Sequence, residues 1–394
     1  MDLNDVVVLS GVRLPIGKFG GSLRDYRVYE LGALAIAEAV RRAGLAPDEV
    51  DEVFVACNRQ SGNGPNPGRS AAVLAGVPAT VPAHTINMAC PAGLRAVIEA
   101  AQAMQLDECS TAVVCGMESM STIPHILTDA RWVPARSGDI VIRDEFFSMV
   151  EPLSGMRPTE LAEHTAAKYG ISRAEQEQFA WESHQKAARA WTEGWSAAEV
   201  APVEVRSTPA TAKEMLTADE CIRANVTLER MGQLKPVHPG GTVTAATASA
   251  VTDGAGAIIL TSRRQAEHAG RRPLASVVGY LQIGVDPQDM LEGPAAAIPA
   301  LLDRVGMNLD QMDVIEVNEA FAAQVIANER SLQWDRSRLN VHGGAIALGH
   351  PTGFTGVRLV LSAANALRIH GGEFAMISVC GGGGLGVAMI IRAE

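Results

Sequence analysis

The feature that most constrains this chain is that it repeats itself. Gly44-Leu45-Ala46-Pro47-Asp48-Glu49-Val50-Asp51-Glu52-Val53-Phe54-Val55 returns as Gly306-Met307-Asn308-Leu309-Asp310-Gln311-Met312-Asp313-Val314-Ile315-Glu316-Val317, an offset of 262 residues. Each copy follows an Ala-rich amphipathic stretch and closes on alternating apolar residues, so each reads as helix, turn, strand. Cys90-Pro91-Ala92-Gly93 pairs with His350-Pro351-Thr352-Gly353 at an offset of 260, and Val114-Cys115-Gly116 with Val379-Cys380-Gly381 at 265. Three matches in one order at nearly one offset indicate a duplicated half. The expectation is an α/β fold of two βαβ-type copies about a pseudo-dyad, with helices between and outside their sheets.

Residues 119–248 have no counterpart in the second copy. They hold Trp132, Phe146, Phe147, Trp181, Trp191 and Trp195 and a helix-like stretch over 172–191, and they read as an inserted loop domain. From Ser249 the chain returns to the first half through the strand-like Ala257-Ile258-Ile259-Leu260. The expected division is 1–118 with 249–270 as the N-terminal half, 119–248 as the insertion, and 271–394 as the C-terminal half.

Composition narrows the function classes. At 394 residues, 47% hydrophobic and 20% charged, the chain exceeds one ordinary core and is not disordered. A net charge of −11 argues against nucleic acid or anionic membrane as the main partner, so a phosphorylated ligand needs a local basic patch. No run approaches the ~18 apolar residues of a membrane helix, and Met1-Asp2-Leu3-Asn4-Asp5 lacks the features of a signal peptide. No membrane insertion and a cytoplasmic location are expected. Six scattered cysteines without a CxxC pair predict neither a disulfide framework nor a structural metal. Most should be buried thiols in a reducing compartment.

Two cysteines and one histidine stand apart. Proline favours the first helical position, where its missing N–H costs nothing. Pro91 and Pro351 therefore place Cys90 and His350 each just ahead of a helix N-terminus, facing the pseudo-dyad. There the helix dipole should lower a thiol pKa and make an imidazole harder to protonate. Cys380 ends a strand and leads into Gly381-Gly382-Gly383-Gly384, whose backbone N–H groups can approach a ligand closely. A nucleophilic sulfur, an imidazole to take its proton and backbone donors for an oxyanion form a constellation for acyl transfer.

These residues resemble the thiolase family over nearly the whole chain. The similar segments are residues 13–21 (Arg-Leu-Pro-Ile-Gly-Lys-Phe-Gly-Gly), 86–90 (Ile-Asn-Met-Ala-Cys), 116–121 (Gly-Met-Glu-Ser-Met-Ser), 241–254, 318–322 (Asn-Glu-Ala-Phe-Ala), 343–351 and 380–383. The resemblance implies a duplicated five-layered α-β-α-β-α fold with an inserted loop domain. It implies that Cys90 is the acylated nucleophile, His350 its activating base, and Cys380 the second acid/base. Asn318 would hold a water that, with His350 Nε2, stabilises an enolate oxygen. The backbone N–H groups of Cys90 and Gly382 would form a second oxyanion hole. For coenzyme A, a substrate rather than a permanently bound cofactor, the implied contacts are Arg223 near the nucleotide and Ser249, Ala245, Ala248 and Phe321 along the pantetheine tunnel. The family implies a homodimer or homotetramer, with any tetramer contact on the loop domain. Met117 and Met120 read as packing residues.

The chain also departs from the family pattern. Pro91 and Ala92 follow the nucleophile where small Gly or Ser is usual. Arg157 falls where glycine or histidine is expected, Thr247 stands in the Thr-Ala-Gly-Asn run, and Thr352 and Phe354 replace a small apolar pair. These changes point to altered acyl-chain and pantetheine walls, and so to a substrate ranging from acetoacetyl-CoA to a bulky or functionalised chain. Two alternatives compete. A decarboxylating ketoacyl synthase pairs one Cys with two His or with His and Asn, whereas here the third position is Cys380 and no second His sits in the Asn318 region. An inactive lipid-binding relative should lack part of the Cys/His/Cys/Asn set.

Overall fold

The computed structural model describes residues 2–128, 131, 139–206 and 214–394; Trp132 lies outside the described residues. The first half runs β1 (Val6–Arg13), α1 (Val28–Arg42), β2 (Glu52–Ala56), α2 (Pro67–Leu74), β3 (Ala83–Ile86), α3 (Ala92–Gln105) and β4 (Thr111–Ser119). Helices α4 (Pro158–Lys168) and α5 (Arg173–Thr192) follow, and then β5 (Thr252–Ser262). The second half runs β6 (Ala275–Gly284), α6 (Gly293–Val305), β7 (Val314–Val317), α7 (Ala322–Leu332), α8 (Thr352–His370), β8 (Phe374–Gly381) and β9 (Leu385–Ala393).

The strand order exposes the duplication. The first half is ordered β3-β2-β4-β5-β1, with β2 parallel to β3 and β4 and the remaining pairs antiparallel. The second is ordered β7-β8-β9-β6 with the same alternation, and Leu339 bridges Ile315 in parallel where β3 sits in the first half. The halves meet edge to edge through β1 and β6, where Val7 pairs with Ser276 and Val8 with Ala275. All nine residues of β4 and all eleven of β5 are buried. Strands covered on both faces need continuous rather than alternating apolar residues, and these have them.

What covers them makes five layers. Helices α1 and α2 pack on the outer face of the first half with Val55, Val113 and Ile259. Helices α6 and α7 pack on the outer face of the second with Met376, Ala388 and Ile390. Between the sheets lie α3 and α8, each buried along most of its length, with Arg95 and Glu99 of α3 paired at a partly exposed edge. Their N-terminal turns meet at glycines. A Cβ at Gly93 would stand 2.9 Å from Gly353 O, and one at Gly356 would overlap the backbone N of Leu94. Only glycine permits this approach, and it brings together the turns that follow Cys90 and His350.

The helix expected at 172–191 is α5, started by a capping box in which Ser172 N donates to Glu175 Oε2 at 2.8 Å. A buried cation ties this region to β1. Arg13 donates to Asp219 at 2.7 and 2.9 Å and to Glu199 at 2.5 Å. Met117 and Met120 are buried, Met117 in the packing around α1.

Candidate functional site

The segment that delivers Cys90 bends sharply after β3. Ala89 has φ of 52°, a region that non-glycine residues seldom adopt. Two side chains hold it there: Asn58 Nδ2 donates to Ala89 O at 2.8 Å, and Ala89 N donates to Asn87 Oδ1 at 3.0 Å. The bend sets Cys90 immediately before α3. Pro91 takes the cap position rather than the first helical position, and so does Pro351 before α8, one residue earlier than expected. The rigid φ of proline serves a cap as well, so the placement of Cys90 and His350 is unchanged.

His350 is buried between two partners. Its Nδ1 lies 2.7 Å from Thr355 Oγ1, and that hydroxyl donates to Pro351 O at 3.1 Å. With its proton so committed, the hydroxyl accepts from Nδ1–H, which leaves the lone pair on Nε2. Asn318 Nδ2 faces that lone pair at 3.4 Å, and Asn318 N donates to Ser378 O at 3.0 Å. Burial, and then the charge of Arg358, push the imidazole pKa down to about 3. The direction agrees with the sequence reading but the cause does not. The end of α8 is neutralised by Glu118, which accepts from Gly353 N at 2.9 Å and Thr352 Oγ1 at 2.7 Å.

Cys380 closes the cluster. Gly381 presses on the nucleophile turn, where a Cβ would stand 2.5 Å from Pro91 Cδ. Gly383 and Gly384, with φ of 84° and 83°, then turn the chain into β9. Burial and the neighbouring Cys90 push the Cys380 thiol well above the usual range. Burial also raises Cys90, to about 11, against the lowering influence of Arg59 and of the N–H groups of Cys90 and Gly382. This corrects the expectation of a depressed pKa. A helix terminus contributes at most about 2 kcal/mol in a partly buried setting, whereas desolvating a thiolate shifts its pKa by several units. Burial thus favours the thiol form of Cys380 and, less strongly, that of the half-buried Cys90.

The residues expected along a pantetheine tunnel fall into two groups. Ser249 N donates to Ala320 O at 3.0 Å, Ala322 N donates to Thr247 O at 2.8 Å, and Ala248 bridges Phe321. Phe321 and Ala248 share one apolar cluster with Cys380, Met156 and Met290. Ala245 instead lies exposed on the turn closed by Thr247 N to Thr244 O. Arg223 is also exposed, and its N–H donates to His184 Nδ1 at 3.2 Å. Among the described residues, no hydrogen bond or ion pair joins Arg223 to the Ser249 segment.

Four of the departures take up capping, packing or surface positions. Thr352 caps onto Glu118, and Phe354 is fully buried against Gly116, Gly254 and Gly256. Thr247 Oγ1 accepts from Thr244 N at 2.9 Å within its own turn. Arg157 is exposed at the start of α4.

Two buried carboxylates that the sequence did not single out hold the loops in place. Glu118 also accepts from Asn58 N at 3.2 Å and Arg59 N at 3.0 Å, so it joins the loop beside Cys90 to the helix after His350. Glu319 accepts from Ser183 Oγ, Asn340 Nδ2 and Ile346 N at 2.7, 2.8 and 3.1 Å, joining the Asn318 loop to the segment before His350. Both stand inside segments matched to the family. Nothing in one sequence distinguishes a tethering carboxylate from a solvated one.

A duplicated fold that directs two sulfurs, a neutral imidazole and converging N–H groups to one dyad defines a class, the acyltransferases that work through a thioester. Residues 6–264 match the model described as "Thiolase, N-terminal domain" and 271–393 that described as "Thiolase, C-terminal domain", and the chain belongs to the thiolase family. It is 39% identical to the acetyl-CoA acetyltransferase of Cupriavidus necator, with 100% of both chains covered. It is 40% identical to Beta-ketothiolase BktB of the same organism, covering 98% of this chain and 99% of the relative. Among solved structures, the Bacillus anthracis acetyl-CoA acetyltransferase superposes with a TM-score of 0.96 at 38% identity, covering 100% of this chain and 99% of that one. Human mitochondrial 3-ketoacyl-CoA thiolase in complex with CoA gives 0.95 at 37%, covering 100% and 98%.

Proposed function

We propose that this thiolase cleaves 3-ketoacyl-CoA with CoA, and runs the reverse condensation, through a thioester on Cys90. The observation that carries this reading is the meeting of the two helix ends. Gly93 and Gly356 let them touch, and Gly381 lays the Cys380 turn on Pro91. His350 Nε2 takes the Cys90 proton, and the sulfur attacks the 3-keto carbon. The bond between C2 and C3 then breaks, leaving its electron pair on C2 as the acetyl-CoA enolate. Cys380 S–H, kept protonated by burial, gives its proton to C2. CoA thiol next transfers its proton to Cys380 and displaces the acyl group, and Cys90 regains its proton from His350. The N–H groups of Cys90 and Gly382, which bear on the sulfur, suit the tetrahedral oxyanion. A water held by Asn318, together with the protonated Nε2, suits the enolate oxygen. Donors of this kind contribute about 3–4 kcal/mol each.

Coenzyme A enters as substrate rather than as a resident cofactor, along Ser249, Ala248 and Phe321, with Arg223 and Ala245 nearer the surface. We assign the insertion, 119–248, to CoA binding and to assembly as a homodimer or homotetramer. Support for assembly comes from Leu127, Ile140, Val141 and Ile142, all exposed on that segment. Among the described residues no helix is long and apolar enough to cross a membrane. The assigned compartment is the cytoplasm.

Two variants test the scheme by intact mass and turnover. Cys90→Ser should show no acyl adduct with acetoacetyl-CoA and negligible thiolysis. Cys380→Ser should still acylate but lose roughly 10²–10⁴-fold in condensation. A normal adduct on Cys90→Ser overturns the nucleophile assignment, and undiminished condensation by Cys380→Ser removes that thiol from the mechanism.

A further inference from the structure

Arg59 brings a positive charge to bear on the Cys90 sulfur, and the proposed reaction leaves that charge without a task. Its place beside the nucleophile is fixed by backbone and side-chain ties. Asn58 Nδ2 donates to Ala89 O at 2.8 Å, Asn87 Nδ2 donates to Asn58 O at 3.2 Å, and Arg59 N donates to Glu118 Oε1 at 3.0 Å. Residues 58–59 and 87–90 thus run side by side.

The surroundings of the guanidinium are unlike those of a structural arginine. Arg13, the buried cation of β1, is met by two carboxylates. Among the described residues Arg59 forms no ion pair. Its Nη2 reaches only the sulfur of Met149 at 3.1 Å, its Cζ stands 5.4 Å from the Phe146 ring centroid, and its Nε is buried without a hydrogen-bond partner. A thioether and a ring face are weak partners for a fork of five N–H donors that fits a carboxylate in bidentate fashion. Of the nearby acids, Glu118 is engaged by backbone N–H groups, while Glu145 accepts from Ser61 Oγ at 3.1 Å through one oxygen, keeps the other buried without a hydrogen bond, and makes no ion pair with Arg59. Beside the guanidinium, Phe146 meets Phe147 edge to face at 5.2 Å and Phe147 meets Phe19 at 5.5 Å, an apolar flank that suits methylene groups.

We propose that Arg59 reads the far end of the acyl group carried by Cys90, and that the preferred substrate is a 3-oxoacyl-CoA whose tail ends in a carboxylate. This rests on Cys90 being the acylated nucleophile. The tail carboxylate pairs with the guanidinium, its methylenes lie along the phenylalanines, and bond making and breaking remain as written above.

The test is thiolysis by the full chain of two six-carbon substrates, 3-oxoadipyl-CoA and 3-oxohexanoyl-CoA, which differ in a terminal carboxylate against a methyl group. The wild type should favour the carboxylate by about tenfold or more in kcat/KM, and Arg59→Leu should reduce that ratio by about 100-fold. Arg59→Lys, which keeps the charge but loses the fork, should retain part of the preference and decides the matter even if Arg59→Leu folds poorly. Wild-type preference for the methyl-ended chain overturns the proposal. So does an equal loss on both substrates in Arg59→Leu, which would mark Arg59 as a stabiliser of the thiolate alone. Intact mass separates the two assignments: acyl-Cys90 formed without tail preference defeats only the Arg59 proposal, whereas no adduct from either substrate defeats the nucleophile assignment beneath it.

Discussion

The two helix ends that meet at the dyad share a sequence pattern and a fold, yet their electrostatics differ. Helix α8 begins on Pro351, and its terminus is quenched by the Glu118 carboxylate. Helix α3 begins on Pro91, without a side-chain cap or an acidic residue in its first turn. The end that carries the imidazole is thus neutralised, and the end that carries the nucleophile keeps its positive pole for a developing oxyanion. Duplication supplied two equivalent positions, and one carboxylate made them unequal. The catalytic asymmetry of the site lies as much in that cap as in the choice of Cys at one end and His at the other.

The largest effect should come from removing the base. His350→Asn should lower kcat/KM for thiolysis by roughly 10²–10⁴-fold, because the thiol of Cys90, with a pKa of about 11, then has no acceptor for its proton. A loss below tenfold in steady-state kinetics would show that the α8 end is not the proton acceptor.

The raised thiol and lowered imidazole give a pH signature of definite sign. A thiol near 11 is protonated at neutral pH, so its thiolate fraction grows about tenfold per pH unit up to that value. With His350 near 3, no limb near pH 6.5 should be superimposed. Alkylation of Cys90 by iodoacetamide should therefore accelerate steadily between about pH 6 and 9. A plateau beginning below about pH 7 would instead reveal a thiolate–imidazolium pair at rest.

Uncapping α8 sharpens the comparison. Glu118→Gln replaces one oxygen of a buried acceptor of five donors with an NH2 group and should cost about 2 kcal/mol in denaturant unfolding. The Glu118 charge also raises the Cys90 pKa, so its loss should speed alkylation at fixed pH, by about threefold. Slower alkylation by a folded variant would contradict the assigned electrostatics. The smallest effect lies outside the dyad: Arg223→Ala should raise KM for CoA by about threefold with little change in kcat, as loss of an exposed contact does. An unchanged KM would remove Arg223 from the CoA site.

Local sequence determined a good deal of this. The repeat at an offset near 260 fixed the duplicated α/β architecture, because the pattern of apolar residues is what buries a strand between two helix layers. The two Cys/His-Pro-x-Gly segments fixed which side chains precede the central helices, and α5 was legible as a helix-like stretch over 172–191. Tertiary structure decided the rest. Glu118 lies 234 residues from Thr352, which it caps, so no local pattern reveals the contact. The sign of the thiol shift reversed for the same kind of reason. A helix dipole is read from a short segment, but desolvation depends on every element packed around the sulfur, and here desolvation outweighs the dipole. Arg59 carries no local signal in the sequence; only the fold sets it beside the nucleophile segment without an ion-pair partner among the described residues.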